Sequence, residues 1–136
     1  MEKNMNNYAA LSALNEYKDT GNSAISYDDP HSLILRLMDG AIDRIAQAKG
    51  AIKQKNVKMK GELISKSIGI INGLDACLNH DQGGDLSANL ASLYEYMGMR
   101  LLEANMDNDS GKLDEVTRLL GEIRSAWMQI PELAQK

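Results

Sequence analysis

From residue 30 onward, apolar side chains recur every three or four positions. Between residues 30 and 54 the series is Ile34, Met38, Ala41, Ile45, Ala48 and Ile52, the period of a helix with one buried face. Asp29 offers an N-cap and Pro30 stands at the first helical position, where its missing N–H costs nothing. Gln54-Lys55-Asn56 is a short polar connection, and short connections set successive helices antiparallel. Residues 57 to about 79 carry Val57, Ile64, Ile71 and Leu78 at seven-residue intervals, with Leu74 between and a parallel stripe of Leu63, Ile70 and Cys77. Asn79 to Gly84 reads as a turn whose two glycines are free to take positive φ. A third helix is predicted from about 85 to 106, with Leu86, Leu90, Leu93, Met97, Leu101 and Ala104 on one face. Asn108-Asp109-Ser110-Gly111 closes it and caps a fourth, about 112 to 130, whose stripe is Leu113, Val116, Leu120, Ile123, Trp127 and Ile130. The pattern predicts an all-α fold, an antiparallel four-helix bundle over residues 29–131.

The flanks differ. Residues 1–28 hold Tyr8, Leu11, Leu14 and Tyr17 at three-residue spacing, enough for a short amphipathic helix and too few for an independently stable one. Asp19-Thr20-Gly21-Asn22-Ser23 then reads as a flexible connector, so a detachable arm is expected ahead of the bundle. Residues 132–136 form a short tail.

Composition narrows the setting. A chain of 136 residues is one domain by length and buries enough surface to need no staples. Phe is absent and Pro occurs only at 30 and 131, which suits long helices with an aliphatic core. Fifteen basic against nineteen acidic residues give a net charge of -4, which argues against nucleic acid as a partner. Cys77 is the single cysteine, so no internal disulfide forms and a reducing cytoplasm is the expected location. The first residues are polar and no apolar run approaches the ~20 residues of a membrane span. No membrane insertion is expected.

Catalysis finds little support. His31 and His80 are the only histidines, and the Asp28/His31 and Cys77/His80 pairs each offer two donors where a metal site needs three or four. There is no phosphate-binding glycine motif, and Ser87 and Ser125 have no nearby histidine to activate them. No enzyme, metal or cofactor is expected.

Apolar surface is in excess instead. On the first helix Leu33 and Leu37 flank one side of the stripe while Leu35, Ile42 and Ala46 flank the other, an arc of about 220° where ~100° suffices for a bundle. Two readings follow: these positions widen a core short of aromatics, or they line a groove for partner helices. Glycines at 40, 50, 61, 69, 73, 98 and 121 fall inside helical stretches and fit either close backbone approach or a shallow surface.

The residues also resemble a known family. Leu33-Ile34-Leu35-Arg36-Leu37-Met38-Asp39-Gly40-Ala41-Ile42 after a Pro-led cap, then Gly83-Gly84, Asn89-Leu90, Leu93-Tyr94-Glu95-Tyr96-Met97, Arg100-Leu101-Leu102-Glu103-Ala104-Asn105 and Asn108-Asp109, are similar to the FliS family of flagellar export chaperones. The likeness runs from about Tyr17 to Trp127. It departs at Met38, where the family often has an aromatic, and in a longer stretch between Tyr17 and Pro30. The resemblance implies a four-helix bundle that binds the C-terminal helical region of flagellin, prevents its premature polymerisation and delivers it to a flagellar export gate component. It also implies an N-terminal segment that covers part of that site, with Tyr17 as the functional tyrosine. The candidate contacts are Tyr17 and Ile25 in the arm, Leu33, Leu37 and Ile42 on the first helix, Leu63, Ile70 and Cys77 on the second, and Tyr94, Tyr96 and Leu101 on the third. Asn89 and Arg100 also match the family, and Trp127 is assigned to the core. The rival readings are a homo-oligomeric structural bundle, which weak self-association of the free chain would resemble, and a cofactor-binding bundle.

Overall fold

The computed structural model describes residues 29–130. The arm, with Tyr17 and Ile25, and the tail lie outside the described residues. Four helices follow one another: α1 (Pro30–Lys53), α2 (Val57–Ala76), α3 (His80–Asp107) and α4 (Ser110–Gln129). Each opens on an Asp or Asn whose side chain accepts from a main-chain N–H that would otherwise lack a partner. Asp29 accepts from Ser32 N at 3.3 Å and Ser32 Oγ at 2.6 Å. Asn56 and Asn79 accept from Met59 N and Gln82 N, both at 3.1 Å, and Asp109 accepts from Gly111 N at 2.9 Å. The connections are tight. Lys55 ends the first in left-handed backbone at φ 59°, and Asn108, which tolerates that region better than most residues, ends α3 at φ 54°.

The helices form a closed ring in which α1 and α3 each pack on both α2 and α4. The core is aliphatic: Met38, Ala41 and Ile45 from α1, Ile64, Ile71 and Leu74 from α2, Met97, Leu101 and Ala104 from α3, and Leu113, Val116 and Leu120 from α4. Lys60 is 6% exposed and fastens one end of the ring. Its Nζ donates to the Asn105 carbonyl at 2.8 Å and to Asn108 Oδ1 at 2.6 Å, a cation on the negative end of α3 that also holds the left-handed cap in place. Outside the core, Arg124 joins α4 to α1 through both Asp39 oxygens, at 2.6 and 3.3 Å.

The structure corrects the expected faces at several points. Leu37 is not a flank; it is fully buried, because α1 meets two neighbours and its buried arc is correspondingly wide. Ile70 is buried for the same reason on α2, while Ile34 and Ile52 at the ends of α1's stripe are only half-buried. Val57 is 69% exposed and Leu86 58%: Val57 is the first residue of α2, and Leu86 lines an open cleft at one end of the bundle. The third helix begins at His80 rather than near residue 85, with a break at Gly84 (φ 53°, ψ -127°).

Candidate functional site

Two apolar surfaces remain after the core is filled. The first is a cleft of about 430 Å³ at the end of the bundle where α1 and α3 begin and α2 and α4 finish. The two glycines shape it. Gly84 adopts a backbone conformation that side chains rarely allow, and a Cβ on Gly83 would collide with Ser87. The space left by Gly83 lets Ser87 Oγ reach back across the break and donate to the Asn79 carbonyl at 3.0 Å. The first turn of α3 is thereby set at an angle to the rest, and the cleft opens beneath it.

Ile34, Leu74, Leu90 and Ile123 give the cleft apolar walls, and Trp127 closes one side. The indole is held by its edge: Nε1 donates to the His31 carbonyl at 3.1 Å, and its ring stacks on the His31 imidazole at 5.5 Å with 16° between planes. His31 Nε2 lies 3.0 Å from the Trp127 carbonyl, so α1 and α4 are clasped from both sides. Trp127, assigned to the core by sequence, is half-buried and shared between clasp and cleft.

Tyr94 forms the floor and is 4% exposed. Burial, reinforced by nearby Cys77 and Asp75, pushes its phenol up to about 12. The hydroxyl therefore stays protonated at neutral pH and remains a donor. Among the described residues it has no hydrogen-bond partner. Cys77 caps the C-terminus of α2 at the rim and is exposed.

The second surface lies on the outer side of α3. Met99, Leu102 and Met106 project into solvent at positions i, i+3 and i+7, 55%, 53% and 79% exposed, so they share one helical face. The Lys60–Asn105 bond brings the first turn of α2 beside the last turns of α3, and Val57 and Met59, also exposed, continue the apolar character there. Sequence reasoning missed the α3 residues because it followed only the strongest stripe of that helix. Their own i, i+3, i+7 spacing was the available signal.

The structure separates the predicted contact residues into three groups. Leu37, Ile70 and Leu101 are enclosed in the core, with no surface to present in the free chain, and Tyr94 reaches only the cleft. Leu33, Ile42 and Leu63 are half-buried against the core's edge. Cys77 and Tyr96 are exposed. The Tyr96 hydroxyl donates to Glu115 Oε2 at 2.6 Å while Arg100 Nε donates to Oε1 of the same carboxylate at 2.6 Å, and the guanidinium lies 5.8 Å from the Tyr96 ring centroid. These two donors hold the Glu115 carboxyl below the usual glutamate range, and the same bond raises the Tyr96 phenol. Tyr96 and Arg100 thus have an inter-helix role on the α3–α4 seam. Among the described residues, no group of three or more His, Cys, Asp and Glu gathers at metal-binding distance, and no helix is long and apolar enough to cross a membrane.

Comparison with known proteins shows the family to which the chain belongs. The family model described as "Flagellar protein FliS" matches residues 13–134. The flagellar secretion chaperone FliSB of Pseudomonas aeruginosa is 47% identical over 119 residues, covering 87% of this chain and 94% of that protein. The flagellar secretion chaperone FliS of Vibrio cholerae is 42% identical over 120 residues, 88% of each chain. That of Salmonella typhimurium is 46% identical over 109 residues, 79% of this chain and 81% of its own.

Proposed function

This chain belongs to the FliS family of flagellar secretion chaperones, which work by binding and not by catalysis, and from that premise we propose that its cargo is flagellin, held by its C-terminal helical region in the cytoplasm. The observation that carries the reading is the exposed Met99-Leu102-Met106 face. A monomeric helix seldom leaves three large apolar side chains in register on its solvent side. Methionine adapts to differently shaped apolar partners because its chain is unbranched and polarizable. Such a face suits an amphipathic helix laid along α3, with Val57 and Met59 extending the contact at one end. Leu33, Ile42, Leu63, Cys77 and Tyr96 supply further edges around which a longer segment wraps.

The mechanism is competition for apolar contacts. Flagellin helices that bury against the chaperone are withheld from the contacts that they make with neighbouring subunits in a filament. The cargo stays monomeric until it is delivered to the export gate. Seeded flagellin polymerisation followed by light scattering tests this. An equimolar amount of the chain is expected to halt elongation. Filaments that grow at the uninhibited rate in its excess would reject flagellin as the cargo.

A further inference from the structure

The end cleft differs from the α3 face in holding a buried hydrogen-bond donor. Side chains on a helix lean toward its N-terminus, and the N-terminus of α3 is at the cleft, so the Tyr94 ring carries its hydroxyl into that space. A buried hydroxyl without a partner is costly. What enters the cleft must therefore be apolar enough for Leu90 and Trp127 and must present an acceptor to Tyr94. Inside a helix the main-chain carbonyls are already paired; only the last four are free. A cleft of about 430 Å³ has room for a single helical turn with one large side chain, and lies within the range of ordinary ligand sites.

We propose that the cleft is a socket for the C-terminal turn of a cargo helix, one aliphatic or aromatic side chain entering between Leu90 and Trp127 while the Tyr94 hydroxyl donates to an unpaired carbonyl of that turn. The proposal rests on the reading that the cargo is a helical segment of flagellin. It adds the direction in which that segment docks and a polar contact that fixes its register.

Tyr94→Phe tests it, because the substitution removes the hydroxyl and keeps the ring. Calorimetric titration with the cognate flagellin should show binding weakened about 3- to 10-fold, the usual effect of one lost hydrogen bond. Thermal unfolding of the free variant should occur at the wild-type temperature or above, since no hydrogen bond among the described residues is lost. Leu90→Trp, which fills the cleft, should weaken binding at least as much, with helical content by circular dichroism unchanged. Wild-type affinity in Tyr94→Phe, in the same assay where a charge at Leu102 abolishes binding, would overturn the socket and leave the flagellin reading intact. A lower unfolding temperature of Tyr94→Phe, matched by its loss of affinity, would also overturn it by making the hydroxyl structural. Failure of the wild-type chain to bind flagellin would reject both.

Discussion

With Leu102 replaced by glutamate, affinity for flagellin is expected to fall by about 100-fold or more, while the free chain unfolds at the wild-type temperature. Leu102 is 53% exposed, so a carboxylate there remains solvated in the free chain, and Glu is nearly as good a helix former as Leu. In the complex the balance reverses. Burying a leucine side chain contributes roughly 1.5 to 3 kcal/mol, and an unpaired carboxylate in an apolar contact costs several kcal/mol more. At about 1.4 kcal/mol per tenfold, the loss exceeds two decades. The chain already carries a net charge of -4, so Leu102→Lys serves as the control for simple repulsion. Both charges should abolish binding if the contact is apolar. Retention of affinity by either variant in a calorimetric titration would move the cargo to another surface.

Leu37→Ala is expected to destabilise the free chain by about 2 to 5 kcal/mol, the range for leucines deleted from packed cores. The fully buried Leu37 side chain belongs to the core cluster, and the space left behind cannot be refilled by the short Ala41 one turn further along the same helix. Had Leu37 stood on a partner-binding flank, truncation would change stability by no more than about 0.5 kcal/mol. Leu33→Ala is the comparator, being half-buried near the start of α1, and should cost distinctly less. Urea unfolding followed by circular dichroism separates the two: the midpoint should drop far more for Leu37→Ala, at constant slope. Near-equal midpoints for wild type and Leu37→Ala would contradict the placement of Leu37 in the core.

The case of Leu37 also shows what the sequence makes legible. Helix number, order and antiparallel sense follow from local chemistry: Asp29 before Pro30 and Asp109 after Asn108 mark helix starts, and short polar stretches at 54–56 and 79–84 divide the apolar period between them into three helices. Core membership is less local. Period gives the centre of a buried face, but its width depends on how many neighbours a helix has, and in a closed ring every helix has two. Leu37 and Ile70 therefore look like flanks from sequence, and Leu86, in the right phase but at the open end cleft, looks like core. The pair Gly83-Gly84 reads as an ordinary turn because nothing in the sequence reveals that Ser87 will reach back to the Asn79 carbonyl and keep the first turn helical. Met99, Leu102 and Met106 look like any apolar residues of a bundle until the other helices are in place and none covers them. Tyr94 and Tyr96 sit two residues apart in one motif with opposite environments, one on the floor of a cleft and one bonded to Glu115 at the surface. Only the packing of α3 against α2 and α4 distinguishes them.

The central claim, that this bundle holds flagellin by its C-terminal helical region, is tested most directly by calorimetric titration of the chain with the cognate flagellin, intact and truncated at its C-terminus. A saturable one-to-one complex with the intact protein and no detectable heat of binding with the truncated one is the expected result. Equal affinity for the two forms would contradict it.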